Sequence, residues 1–64
     1  MYILKHEINN DIIVGWDLET GEHGLFTHTV QQAVFLNETD AWHYMDLLER
    51  LGNDVRNLTV EELY

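Results

Sequence analysis

The stretch that decides the fold is residues 37–52, which read NETDAWHYMDLLERLG. Asn37 is a favourable N-cap, and Asp40 places a carboxylate in the first turn, where the positive end of the helix dipole stabilises it. Gly52 is the residue type expected just past a C-terminus, so the pattern predicts one helix that ends near Leu51. At about 100° per residue, one broad face of this helix is apolar and is expected to cover a sheet. Its members are Ala41, Tyr44, Met45, Leu47, Leu48 and Leu51.

The opposite face of the helix is polar except for one large aromatic side chain. Trp42 lies at its centre, with the carboxylates of Glu38, Asp46 and Glu49 around it. This arrangement indicates contact with another protein, because Trp and Tyr contribute strongly to protein interfaces. In the alternative, the ring folds over the edge of the helix onto Phe35, Leu25 or the C-terminal tail, since tryptophans are often mostly buried.

The sequence before the helix has the pattern of β-strands. The side chains of residues 2–8 fall into two alternating sets, as on the two faces of a strand. Residues 12–16 are rich in β-branched and aromatic side chains. Asn and Asp at positions 9–11 favour a tight turn, a second turn falls at residues 19–22, and residues 25–29 are a third strand candidate. The fold class predicted for residues 1–64 is therefore α+β: one domain in which one α-helix packs on a three-stranded antiparallel β-meander.

Two features of this sheet leave alternatives open. Gly15 marks either a bulge or a place where another group approaches the backbone closely. Residues 55–60 favour a short last strand, although residues 59–62 also have the form of a capping box that opens a helix. Alternation along the second strand predicts one face that contains Ile12, Val14, Trp16 and Leu18.

Length and charge limit the classes of function. A domain of 64 residues has a core that supplies about 3–5 kcal/mol, so a homodimer is left open as a source of further stability. The chain has 12 acidic and 3 basic residues and a net charge of −9. This charge opposes direct binding to nucleic acid, which depends on Lys and Arg, and it favours a partner protein with a basic surface.

The sequence also indicates where such a protein would work. It contains no cysteine, which suits the reducing interior of a cell. It has no apolar run near the roughly 20 residues of a membrane span, and its start lacks the layout of a signal peptide. We therefore expect a soluble cytoplasmic protein that makes no membrane contact.

Neither metal binding nor catalysis is predicted. The four histidines, at positions 6, 23, 28 and 43, lack the short spacings of metal sites. His6 and His28 would meet only if the third strand lay beside the first. The chain has no serine or cysteine nucleophile, and a domain of this size has little room for a pocket that excludes water. We expect a non-enzymatic protein without a metal or a cofactor.

The order of the apolar residues resembles a known group of proteins. The pattern Ala33-x-Phe35-x5-Ala41-x2-Tyr44-x3-Leu48-x2-Leu51 after a β-meander is similar to that of many short proteins encoded by bacteriophages and prophages. Size, acidity and lack of cysteine also resemble small phage inhibitors of host defence, including anti-CRISPR proteins and DNA mimics.

This resemblance implies a function for the acidic residues. In DNA mimics, carboxylates stand in for phosphates and occupy the basic groove of a protein that handles nucleic acid. Folding of the second hairpin can gather Asp17, Glu19 and Glu22 into one patch of this kind. The resemblance thus implies an inhibitor in the bacterial host cytoplasm; the alternative is a structural homo-oligomer whose apolar sheet face packs on its twin.

Overall fold

The computed structural model describes residues 1–64 and has one helix packed on an antiparallel sheet, which confirms the α+β fold class. Five strands precede the helix, and one follows it. The strands β1 to β5 are Tyr2–His6, Ile13–Trp16, His23–Phe26, Gln31–Gln32 and Val34–Phe35, the helix α1 is Glu38–Arg50, and the last strand β6 is Leu58–Glu62. The structure has no helix with the length and apolar character needed to span a bilayer.

The predicted meander consists of β1, β2 and β3, which are neighbours in the sheet in that order. The third strand lies earlier than residues 25–29, because the hairpin pairs Trp16 with His23 and the Asp17 N–H donates to the Glu22 carbonyl at 2.9 Å. Residues 27–29 have left the sheet and form a bend. Leu18, expected on the same face as Val14, lies in the hairpin turn and is 70% exposed.

Residues 31–35 form a corner between β1 and β2. These two strands pair with each other only at Lys5 and Ile13. Beyond that point β4 pairs antiparallel with β2, and β5 pairs antiparallel with β1. Because β1 and β2 run in opposite directions, the chain must change direction between β4 and β5, at Ala33. The buried Ala33 donates its N–H to the Val14 carbonyl at 3.0 Å, which fixes the corner in place.

This corner explains the glycine in β2. A Cβ atom on Gly15 would lie 1.8 Å from the carbonyl oxygen of Gln31 and 3.0 Å from the backbone nitrogen of Ala33. No side chain fits there unless the backbone of residues 31–33 moves. The close approach of another group is thus the one of the two sequence alternatives that occurs.

The core lies between α1 and the sheet. Its buried members are Leu4, Val14, Ala41, Leu48 and Leu58, and Tyr44 and Met45 pack against them. The prediction was wrong for Leu47 and Leu51, which are 42% and 58% exposed. Leu47 is six residues from Ala41 and therefore about 120° away around the helix axis, which is outside the stripe that this narrow sheet covers. Leu51 is the C-cap residue.

The ends of α1 are as predicted. The Asn37 side chain accepts the N–H of Asp40 at 2.9 Å, which satisfies one of the free donors in the first turn. Gly52 has a φ of 95° just past the C-cap. Its N–H donates to the Glu49 carbonyl, and the Asn53 N–H donates to the Leu48 carbonyl. These two bonds form a Schellman motif.

The C-terminal segment ends in a strand, as the sequence favoured, and the capping-box helix does not form. Strand β6 pairs with β1 along its whole length, from Leu58 opposite His6 to Glu62 opposite Tyr2. It begins three residues later than predicted. Val55, expected inside the strand, instead packs against the core from the connection between α1 and β6.

Candidate functional site

The predicted site residues on α1 form one row along the helix. Glu38, Trp42, Asp46 and Glu49 are separated by four, four and three residues, so they project from the same side. Trp42 is 48% exposed, and its indole Nε1–H donates to Glu38 Oε1 at 3.2 Å. This bond holds the nitrogen edge of the indole towards the preceding turn.

Three of these four residues line one depression, which we call the Trp42 groove. Its volume is about 230 Å³, and its lining is completed by two apolar side chains that the sequence did not assign to a site. Met45 and Val55 both pack against the core, so they form a fixed floor. The lining residues are Trp42, Met45, Asp46, Glu49 and Val55.

The environment of Trp42 combines features of both sequence alternatives. The ring shares the groove with Val55 of the C-terminal segment, yet about half of it faces solvent. It does not stack on Phe35, whose ring instead packs on Tyr44 with a centroid distance of 5.3 Å. Trp42 is thus anchored on one side and available on the other. Whether the four α1 residues contact a partner stays a prediction.

The two carboxylates at the rim of the groove have different surroundings. Asp46 forms an ion pair with Arg50 one turn later, with an N–O distance of 2.9 Å and both side chains more than half exposed. The Glu49 carboxylate forms no ion pair and no side-chain hydrogen bond. Glu49 therefore has its full capacity to accept hydrogen bonds from another molecule.

Every lysine and arginine in the protein is already paired with a carboxylate of the same chain. Since there are 12 acidic and 3 basic residues, 12 minus 3 leaves nine carboxylates without a lysine or arginine partner. The surface that the protein presents to a partner is therefore strongly negative. The three pairs are Lys5–Glu61 at 3.6 Å, Arg50–Asp46 at 2.9 Å and Arg56–Asp54 at 2.8 Å.

The Arg56–Asp54 pair holds the loop that brings Val55 to the groove. The Arg56 side chain donates to both oxygens of Asp54, and its backbone N–H donates to one of them. The side-chain hydrogen bonds, followed by the backbone bond, lower the pKa of Asp54 to about 2. Because the Arg56 guanidinium donates to both oxygens of Asp54, its charge is already paired with that carboxylate.

The second group of predicted site residues lies in the β2–β3 loop, outside the Trp42 groove. Asp17 Oδ1 accepts the backbone N–H groups of Glu19 and Thr20 at 2.8 and 3.1 Å, and its other oxygen lies 3.2 Å from His28 Nε2. The bond from Glu19, then that from His28, lowers the pKa of Asp17. Glu19 and Glu22 are exposed in the same loop. Asp17 thus stabilises the turn, and a binding role for these three residues stays a prediction.

A second depression lies between the β2–β3 loop and the C-terminal end of α1. It has a volume of about 380 Å³ and includes Glu22, but Leu51 is its one apolar lining residue. It offers no aromatic anchor comparable to Trp42. We therefore regard the Trp42 groove as the stronger candidate.

The histidines do not converge on a metal site. Strand β2 lies between β3 and β1, so the condition under which His6 and His28 would meet is not fulfilled. His6 Nδ1 accepts the backbone N–H of Asn9 at 3.0 Å and so stabilises the first turn. No group of three His, Asp or Glu side chains is arranged to hold a metal ion.

Sequence reasoning missed a polar contact beneath the helix. The Tyr44 hydroxyl donates to the Gly15 carbonyl at 3.1 Å, and His23 Nδ1 lies 2.6 Å from the Tyr44 hydroxyl oxygen. Burial raises the pKa of Tyr44, so the hydroxyl keeps its proton. While that proton is used for Gly15, an N–H on His23 Nδ1 can donate to the Tyr44 oxygen. The signal in the sequence was a tyrosine within an apolar helix face, because a buried hydroxyl needs a partner.

Comparison with protein-family models, with curated proteins and with solved structures found no match.

Proposed function

We propose that this protein is a non-enzymatic, acidic module that binds a basic surface of another protein through the Trp42 groove. The observation that carries the proposal is a half-exposed tryptophan beside a fixed apolar floor and an unpaired carboxylate. Trp is enriched among the residues that contribute most to binding, particularly where it is surrounded by groups that exclude water. Met45 and Val55 provide the packed support, and Glu49 provides a rim charge.

The charge of the chain supports a basic partner. Nine carboxylates have no lysine or arginine partner. The negative electrostatic field that they produce attracts a positive surface and accelerates association. The attraction between exposed charges is screened over about 8 Å at physiological salt. Binding is therefore expected to weaken as the salt concentration rises. The same field opposes direct contact with nucleic acid.

The proposed biological role is inhibition of a host protein that handles nucleic acid, in the cytoplasm of a bacterium. Proteins of that class have basic grooves shaped for phosphates, and carboxylates can occupy these grooves in place of phosphates. The support for this role is the resemblance to small phage inhibitors together with the uncompensated negative charge. Glu19 and Glu22 on the β2–β3 loop would add a second contact to that of the groove.

The proposed function is tested by capture from a bacterial lysate at low and moderate salt, with bound proteins identified by mass spectrometry. The test variant is Glu38→Lys/Asp46→Lys, which reverses two charges along the α1 row. The matched control is Glu7→Lys/Asp11→Lys, which makes the same change in net charge at two exposed residues distant in sequence from α1. We expect the wild type and the control to retain a basic partner that the test variant loses.

Two results would count against this function. Equal loss in both double variants would mean that net charge alone drives binding, without the α1 row. Retention in both at every salt concentration would exclude an electrostatic contact at this surface. Circular dichroism of each variant must first show an unchanged fold, because Glu38 also accepts the indole N–H of Trp42.

A second candidate function, a structural homo-oligomer, is favoured by one observation on the sheet. By register, two apolar pairs lie on the face opposite Leu4 and Val14: Ile3 with Val34, and Ile13 with Phe26. Val34 is 44% exposed. Light scattering at micromolar concentration separates the two candidates. A mass of 7.6 kDa contradicts the oligomer, whereas a multiple of it that Val34→Glu returns to the monomer would favour it.

A further inference from the structure

We propose that the Trp42 groove receives a single arginine side chain from the partner. This inference rests on the proposed function, because it names the chemical group that the groove binds. It predicts a partner whose basic surface presents an exposed arginine. A lysine in the same place would bind more weakly.

The floor of the groove suits the aliphatic part of an arginine. Met45 and Val55 both line the groove, and both pack against the core. Arginine commonly lays its three methylene groups along apolar surface while its charged head stays close to water. The methionine thioether is polarisable, so Met45 makes favourable dispersion contacts with such a stem.

The indole ring suits the charged head. The Nε1–H of Trp42 is already used by Glu38, so the part of the exposed ring that remains for a ligand is its π-surface. A guanidinium group over the face of a tryptophan is attracted by the ring quadrupole, and arginine makes such contacts more often than lysine. No other aromatic ring stacks on Trp42.

The rim supplies the counter-charge. The unpaired Glu49 carboxylate can accept two parallel N–H bonds from a guanidinium, a geometry that the single ammonium of lysine cannot match. Asp46 can contribute as well, because its pair with Arg50 is exposed and such pairs hold their partners weakly. The carboxylates thus select a positively charged side chain. The planar guanidinium, which can donate two parallel bonds, favours arginine over lysine.

The size of the groove supports one side chain as the occupant. Its volume of about 230 Å³ is smaller than the range of roughly 300–1,000 Å³ typical of sites for drug-sized molecules. An acidic or neutral side chain would leave Glu49 without compensation. A basic side chain with a flat head and an apolar stem satisfies all lining residues at once.

The test is an NMR titration of the ¹⁵N-labelled protein with the blocked tripeptide acetyl-Gly-Arg-Gly-amide. The chain has two tryptophans, so the Trp16→Phe variant assigns the indole N–H signal of Trp42. Parallel titrations use the lysine peptide and the citrulline peptide, which keeps the shape of arginine without its charge. We expect a saturable shift at Trp42 with arginine, at least about threefold weaker binding with lysine, and no saturable shift with citrulline.

Two variants locate the contact. Glu49→Gln removes the unpaired carboxylate without breaking an ion pair, and we expect it to weaken arginine binding at least about threefold. Glu7→Gln makes the same change at an exposed residue distant in sequence from α1 and is expected to leave the affinity unchanged. An equal response to arginine and citrulline, or equal effects of the two variants, would overturn the inference.

The outcome also separates this inference from the proposed function. If the arginine peptide causes no shift at Trp42, while a captured partner is still lost with Glu38→Lys/Asp46→Lys, the arginine assignment is wrong and the binding function stands. If the peptide causes no shift and no partner depends on the α1 row, both are wrong. A shift at Trp42 without any protein partner supports the arginine site and contradicts the function.

Discussion

Replacement of Gly15 by alanine tests the corner on which the sheet depends. The new methyl group would lie 1.8 Å from the Gln31 carbonyl oxygen, whereas ordinary contacts begin near 3.4 Å. The two strands must therefore separate by about 1.6 Å (3.4 minus 1.8). That movement weakens the bond from Ala33 to the Val14 carbonyl, the pairing of Gly15 with Gln32, and the bond from Tyr44 to the Gly15 carbonyl.

The expected cost follows from these three interactions. At a net value of about 0.5–1.5 kcal/mol for each hydrogen bond, their loss lowers the free energy of unfolding by about 1.5–4.5 kcal/mol. A domain of this size has about 3–5 kcal/mol in total. At roughly 4–8 °C for each kcal/mol, even a loss of about 2 kcal/mol lowers the melting temperature by at least about 8 °C.

Thermal unfolding followed by circular dichroism measures this effect. Gly24→Ala is the matched control, because Gly24 is the direct strand partner of Gly15 and its new methyl group would lie 3.2 Å from Asn53 Oδ1, a side-chain atom that has to shift by only a few tenths of an ångström. Without a clash, Gly→Ala stabilises a protein by about 0.4–1 kcal/mol, because it reduces the conformational entropy of the unfolded chain. A melting temperature for Gly15→Ala at or above that of the wild type would refute the close approach.

Three further substitutions test the packing, the polar contact and the ion pair. Leu48→Ala should lower the free energy of unfolding in urea by about 2–5 kcal/mol, because Leu48 is fully buried, whereas the exposed Leu47→Ala should change it by less than about 1 kcal/mol. Tyr44→Phe should cost about 1–2 kcal/mol in the same assay, since the Gly15 carbonyl loses its tyrosine donor. Asp54→Asn should lower the melting temperature above about pH 5, and its difference from the wild type should shrink as the pH falls towards 2, because the lowered pKa of Asp54 makes its contribution disappear there.

Each of these predictions has a result that contradicts it. Equal costs for Leu47→Ala and Leu48→Ala would mean that the helix is rotated about its axis. A neutral Tyr44→Phe substitution would mean that its hydroxyl makes no net contribution. A constant difference between Asp54→Asn and the wild type from pH 7 to pH 2 would show that the Asp54 carboxylate is not stabilised by Arg56.

The helix could be predicted from the sequence because its signals are local. Asn37 and Gly52 act through bonds to residues within a turn of themselves. The first two strands and the turn between them could also be predicted from local signals. These signals are the alternation of side chains in the strands and the Asn and Asp residues of the turn. The corner at Ala33 has no such signal, because it is held by pairing with two strands distant in sequence, and strands of two residues have no measurable periodicity.

The candidate site was predictable in part for the same reason. The spacing of Trp42, Asp46 and Glu49 on one helix face is a local property, and the sequence placed them together. The contribution of Val55 depends on how the chain returns from α1 to β6, which is a tertiary property. The sequence therefore identified the acidic rim and the aromatic residue but not the apolar floor between them.

The central claim is that Trp42 anchors a partner, and the most direct test is the affinity of the captured partner for Trp42→Ala, measured by titration calorimetry. A central tryptophan in an interface typically contributes at least about 2 kcal/mol, which is a loss of affinity of roughly thirtyfold. We predict a loss of that size for Trp42→Ala and unchanged affinity for Glu7→Gln, a change at an exposed residue outside both proposed contacts. Equal affinity of Trp42→Ala and the wild type, with both folded, would contradict the claim.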